Sequence, residues 1–159
     1  MSLLQLTYDE IFSSFLSSVK DHNLSLLEES DANDLMEEWL RKGVSKSYIK
    51  RLFFSSTLDT ENKLFVFELK HPSLEESDSD QTDFVKEVVC KAMLIEWCEP
   101  QVKDSVNLSQ FFGSKEQKWF SQAQHLTQLR ELLMDTKIEL RHELGDRGVL
   151  INTYLGTSK

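Results

Sequence analysis

Twice in this chain a glutamate is followed three residues later by a histidine, as Glu68-Leu-Lys-His71 and as Glu139-Leu-Arg-His142. On a helix that spacing puts a carboxylate and an imidazole on one face, which is what each of two helices contributes to a dinuclear iron or manganese centre. The first match lies in an extended segment that runs into Pro72, where residues i and i+3 point to opposite faces. Only the second can converge, so no metal site is expected.

His125 sits in FSQAQHLTQLRELL, residues 120 to 133. As a general base it would need an activated serine or cysteine, or a glycine loop for phosphate, and the sequence around it supplies none. Ser121 is placed to cap a helix and His125 lies one turn inside, so a structural role is expected for this histidine. Asp78 and Asp80 alternate as calcium ligands do. No glycine follows at the turn, however, and the twelfth position is Val89 instead of glutamate, which leaves a solvated loop. Cys90 and Cys98, on one predicted helix, are separated by a rise of about 12 Å. That exceeds the roughly 7 Å limit for a disulfide, so both are expected to be buried thiols. No catalytic residue, cofactor or metal ligand emerges, and the expectation is a non-enzyme.

The elements that would carry these residues are mainly helical. Thr7-Tyr8-Asp9-Glu10 is a capping box, and Ile11, Phe12, Phe15, Leu16 and Val19 follow at helical spacing, predicting a helix over 8–20. Ser30 or Asp31 caps a second over 31–50, with Ala32, Leu35, Met36, Trp39, Leu40 and Val44 as its apolar stripe and Lys42, Lys46 and Lys50 along one solvated face. RLFFSST and KLFVFEL, separated by LDTEN, read as a hairpin between Leu52 and Leu69. A third helix over 80–99 is apolar around most of its circumference, and Pro100 should end it. A short helical piece near 106–112 precedes a fourth helix over 121–144, with Leu126, Leu129, Leu133, Leu140 and Leu144 in one stripe and Gly145 just past its end. The predicted fold is a bundle of about four helices spanning 1–148, with a small hairpin insertion within 52–75 and an extended tail over 149–159.

The chain of 159 residues is one domain by size and large enough to bury a core. Two prolines and five glycines argue against a many-turned β-sandwich. The net charge of −9 opposes duplex binding, which requires cations to neutralise phosphates. That charge is uneven: residues 1–104 hold 11 Lys+Arg against 21 Asp+Glu, whereas residues 105–159 hold 7 against 6. No apolar run approaches the roughly 20 residues of a membrane span, and MSLLQLTYDE lacks the basic start of a secretory signal. The protein is therefore expected to be made in, and to assemble from, a reducing cytoplasm, with no membrane partner.

Three segments together resemble one family: DLMEEWLRKGVSK (34–46), AMLIEWCEP (92–100) and FGSKEQKWFSQAQHLTQLREL (112–132). They are similar to the small helical head-to-tail connector, or neck adaptor, proteins of tailed bacteriophages, which also open on a tyrosine-acidic helix like TYDEIFSSFL. The matching parts cover roughly residues 7–50 and 84–144. The resemblance implies a structural virion protein at the neck, a homo-oligomer forming a dodecameric ring below the portal protein. Such a ring would extend the channel, let genomic DNA pass without specific binding, and offer a docking surface to a stopper or tail-completion protein. Two alternatives stay open: a tail-completion or other virion assembly protein, and a non-virion host-interaction module.

Past Gly148 the chain reads VLINTYLGTSK, apolar and β-branched with almost no charge. It is too short to build a core of its own, and ordering it alone would cost about 1–2 kcal/mol per residue with little burial to offset it. Val149, Leu150, Ile151, Tyr154 and Leu155 are therefore the expected partner-binding residues, gaining burial against the portal or an adjacent subunit, the alternative being a tail folded back on its own bundle.

Overall fold

The computed structural model describes residues 3–19, 27–70, 77–111 and 116–146, and in 104–111, 116–125 and 146 the backbone alone. Among these, five helices and a small antiparallel sheet follow in the order β1 (Leu4–Thr7), α1 (Tyr8–Ser18), α2 (Glu29–Val44), α3 (Ser47–Lys50), β2 (Phe53–Asp59), β3 (Leu64–Leu69), α4 (Asp78–Phe111) and α5 (Glu116–Asp146). The protein is mostly helical, as its composition predicts.

Helix α1 starts where the capping box places it: the Thr7 hydroxyl accepts from the Glu10 amide at 3.1 Å and the Glu10 carboxylate accepts from the Thr7 amide at 2.9 Å. Ile11, Phe12 and Phe15 point inward from it. Helix α2 starts at Glu29, earlier than expected, and neither Ser30 nor Asp31 caps it. It also ends early. At Val44 the Ser45 amide turns back to the Arg41 carbonyl and the Ser45 hydroxyl donates to the Lys42 carbonyl at 2.7 Å, so the predicted single helix to residue 50 is two pieces. The lysine face breaks with it: Lys42 pairs with Glu38 on its own helix, while Lys46 reaches Glu96 of α4 at 3.2 Å.

The hairpin is present, with β2 and β3 antiparallel and Lys63 in the left-handed region, φ 55°, at its turn. The Asp59 carboxylate accepts from the Glu61 and Asn62 amides and so shapes that turn. The hairpin gains a third strand the sequence reading lacked: β1 pairs with β3, giving the order β1-β3-β2. Phe65, Phe67 and Leu69 of the central strand alternate inward, and Phe65 and Phe67 stack with ring centroids 5.3 Å apart.

Helix α4 is the centre of the core. It packs against α1, α2 and α5, and Val85, Val88, Val89, Ala92, Met93 and Cys98 have essentially no exposure. Pro100 does not end it. The helix continues to Phe111 and absorbs the short piece expected near 106–112. Proline there forfeits one amide donor and strains the preceding turn, a cost of about 3 kcal/mol that packing on α5 can offset. Helix α5 likewise overruns its predicted limits, so Ser121 is inside it and is not its cap, and Gly145 is still helical. Leu129, Leu140 and Leu144 are buried and Leu133 half-buried, as the stripe requires. Thr136 fills the gap between Leu133 and Leu140, its hydroxyl satisfied by the Leu132 carbonyl at 2.7 Å. Leu132 and Ile138, at the edges of that stripe, are exposed.

Candidate functional site

The structure brings none of the sequence candidates for chemistry together. Glu68 lies on β3, and its partner His71 falls outside the described residues. Glu139 and His142 are on the exposed side of α5. The His125 side chain and the tail residues Val149, Leu150, Ile151, Tyr154 and Leu155 also fall outside the described residues. Asp78 and Asp80 open α4, where Asp80 and Ser77 cap each other: the Ser77 hydroxyl donates to the Asp80 carboxylate at 2.9 Å and accepts from the Asp80 amide at 3.1 Å. That is an N-terminal lock, with Asp80 engaged in the backbone. Among the described residues no group of three metal-ligating side chains converges, and no helix is long and apolar enough to cross a membrane.

Cys90 and Cys98 are both free and buried. Each thiol donates to a carbonyl of a neighbouring helix, Cys90 to Ile11 at 3.4 Å and Cys98 to Leu129 at 3.3 Å. Burial, with the Glu99 charge adding to it, pushes the Cys98 thiol up to about 11, and burial raises Cys90 as well. Both are structural thiols, far from nucleophiles at neutral pH.

Among the described residues, two grooves lie along α5. The first, about 740 Å³, runs between α1, α4 and α5 and is lined by Asp83, Glu87, Asp135 and Glu139 together with Lys86 and Lys91. Lys91 is its hub: the ammonium pairs with Glu143 and lies 3.4 Å from Glu87 and 3.7 Å from Glu139. Burial alone would depress Lys91, but its bond to Glu143 and the surrounding carboxylates outweigh that and raise it. Glu143 is raised too, by burial first, although Lys91 pulls the other way. The two directions agree once charge is counted, because one ammonium faces three carboxylates and Glu143 Oε2 is buried without a hydrogen bond.

The second groove, about 410 Å³, lies between α3, α4 and α5. Ile95, Leu140 and Leu144 make an apolar floor, and Tyr48, Arg51, Lys137 and Arg141 stand around it. Lys137 is taken by Glu99 at 2.8 Å, which holds the Glu99 carboxyl below the usual range. Arg51 and Arg141 have no ion-pair partner among the described residues, and both are exposed. Neither Arg51 nor Arg141 is singled out by any motif or periodicity of the sequence. Their convergence depends on the break at Val44, which turns α3 toward α5 and leaves no trace in hydrophobic periodicity. The chain matches no family model, no curated protein and no solved structure.

Proposed function

We propose that the protein is a head-to-tail connector of a tailed bacteriophage, a structural component of the virion neck. It assembles as a ring against the portal protein, dodecameric by the family resemblance, around a channel through which DNA passes unbound. In this reading α1, α2, α4 and α5 are the bundle of the subunit, and the apolar tail from Val149 to Leu155 is its anchor on a neighbour.

One observation carries the proposal: the three separate segments on which the resemblance rests meet at specific contacts. Gly43 of the first packs on Ala92 of the second, Lys46 of the first pairs with Glu96 of the second, and Cys98 of the second donates to the Leu129 carbonyl of the third. Residues that recur together in a family for a structural reason are expected to touch, and short words shared by chance need not. The acidic body adds support, since a net charge of −9 keeps a channel wall from holding DNA.

The test is to purify the chain with the portal protein of the same virus and image the mixture by electron microscopy. A ring stacked on the portal and matching its symmetry is the expected result. A chain that binds tail tube in its place would be a tail-completion protein. One that binds neither and is missing from purified particles by mass spectrometry would be a host-interaction module, and either outcome rejects the connector assignment. Deleting residues 149–159 tests the anchor separately: portal binding at full affinity without them would show that the tail is not the contact.

A further inference from the structure

We infer that the cationic groove between α3 and α5 is a docking site for a short acidic and apolar segment of a partner protein. Its carboxylates pair with Arg51 and Arg141, and its apolar side chains lie on the floor of Ile95, Leu140 and Leu144. The inference rests on the groove alone and stands or falls apart from the connector assignment.

Charge complementarity identifies the occupant. The chain carries nine more negative than positive charges, yet at this one groove the nearby carboxylates are already spoken for, Glu99 by Lys137 and Glu96 by Lys46. What remains is two guanidinium groups, one from each wall, without a carboxylate among the described residues. Guanidinium forks match carboxylates in a bidentate geometry, and arginine and tyrosine are the residues on which interface energy concentrates. Tyr48, 37% exposed, supplies such an aromatic surface at the rim.

The floor decides between kinds of anion. Nucleic-acid phosphates are held by a run of cations on a polar surface. An apolar floor has nothing to offer a phosphate backbone, whereas leucine or phenylalanine side chains beside carboxylates match both halves of the groove.

The experiment titrates the full ¹⁵N-labelled chain with the acetylated and amidated peptide Leu-Glu-Phe-Asp-Leu-Glu, following backbone and arginine side-chain resonances. Saturable shifts are expected at Tyr48, Arg51, Ile95 and 137–145. Arg51→Gln with Arg141→Gln should weaken binding about tenfold or more, and the same peptide with its acids replaced by Gln and Asn should weaken it comparably. Both arginines are exposed, so an unchanged circular dichroism spectrum is expected and establishes that the double variant is folded. Absence of saturable shifts, equal binding of the neutral peptide, or undiminished binding by the double variant overturns the inference. So does an oligothymidylate that perturbs the same resonances while the acidic peptide does not, which would assign the groove to nucleic-acid phosphates.

Discussion

Gly43 of α2 lies directly on Ala92 of α4: a Cβ placed at residue 43 would stand 3.1 Å from the Ala92 methyl and 3.2 Å from its carbonyl carbon. Two helices thus approach as closely as they can where neither has bulk. Gly43→Ala would gain about 1 kcal/mol of helix propensity, but it presses on the backbone of the central helix, which α1 and α5 hold from other sides. Overpacking of that kind costs about 1–3 kcal/mol, so the net effect is a loss of up to about 2 kcal/mol. Urea denaturation measures it, and a variant as stable as the parent would mean that α2 can shift off α4.

Helix α5 offers an internal comparison. Leu129 is 5% exposed and Met134, little more than one turn away, is 64% exposed. Leu129→Ala should cost about 2–5 kcal/mol, because the hole it leaves faces α4 and cannot collapse freely. Met134→Ala should stay within about 0.5 kcal/mol. Equal denaturation midpoints for the two variants would mean the buried stripe of α5 has been assigned to the wrong face.

How far the sequence announces this architecture varies by element, and the reasons are physical. The reciprocal Thr7 and Glu10 hydrogen bonds are local, so the start of α1 is legible from the residues alone. The β-prone runs around LDTEN likewise read correctly as a hairpin. Strand β1 has the right alternation, with Leu4 and Leu6 buried and Gln5 and Thr7 exposed, but at four residues it exists only because β3 offers it a partner. Pro100 and Gly145 are conventional stop signals that tertiary packing overrides, and Thr136 is core because its hydroxyl bonds within its own helix. The two grooves were not legible at all. They arise from residues far apart in sequence, Arg51 with Arg141 and Lys91 with Glu143, that only the packing of α3, α4 and α5 brings together.

The cysteines predict a chemical silence. With its thiol pushed up to about 11 and its side chain buried, Cys98 is thiolate in only about one molecule in a thousand at pH ~8. Cys90 is raised by the same burial. Neither should be carbamidomethylated by iodoacetamide in the folded protein, and both should react fully in denaturant, as read by intact mass. Rapid native labelling of Cys98 would show that α4 and α5 separate readily at the Leu129 carbonyl.

Lys91 carries the most specific prediction about pH. Replacing it by Met leaves Glu143, Glu87 and Glu139 without the one ammonium that pairs with all three, and Glu143 is only 23% exposed in its side chain. Removing one partner of a partly buried pair should cost about 1–3 kcal/mol at neutral pH. The Glu143 carboxyl is already raised, by burial first, so the folded chain binds its proton more readily than the unfolded chain does. Stability from that protonation is full below the unfolded carboxylate value and is lost as pH rises through the folded one. Without Lys91 the folded value rises further, and the window in which protonation relieves the cluster widens upward. The cost of Lys91→Met should therefore shrink between about pH 7 and about pH 5, as carboxyl protonation removes the repulsion that the ammonium had balanced. Urea denaturation of parent and variant at both pH values measures the difference. A cost that is the same at both, or larger at the lower one, would show that Lys91 acts by packing its aliphatic stem between α4 and α5, with no electrostatic share in holding the three carboxylates.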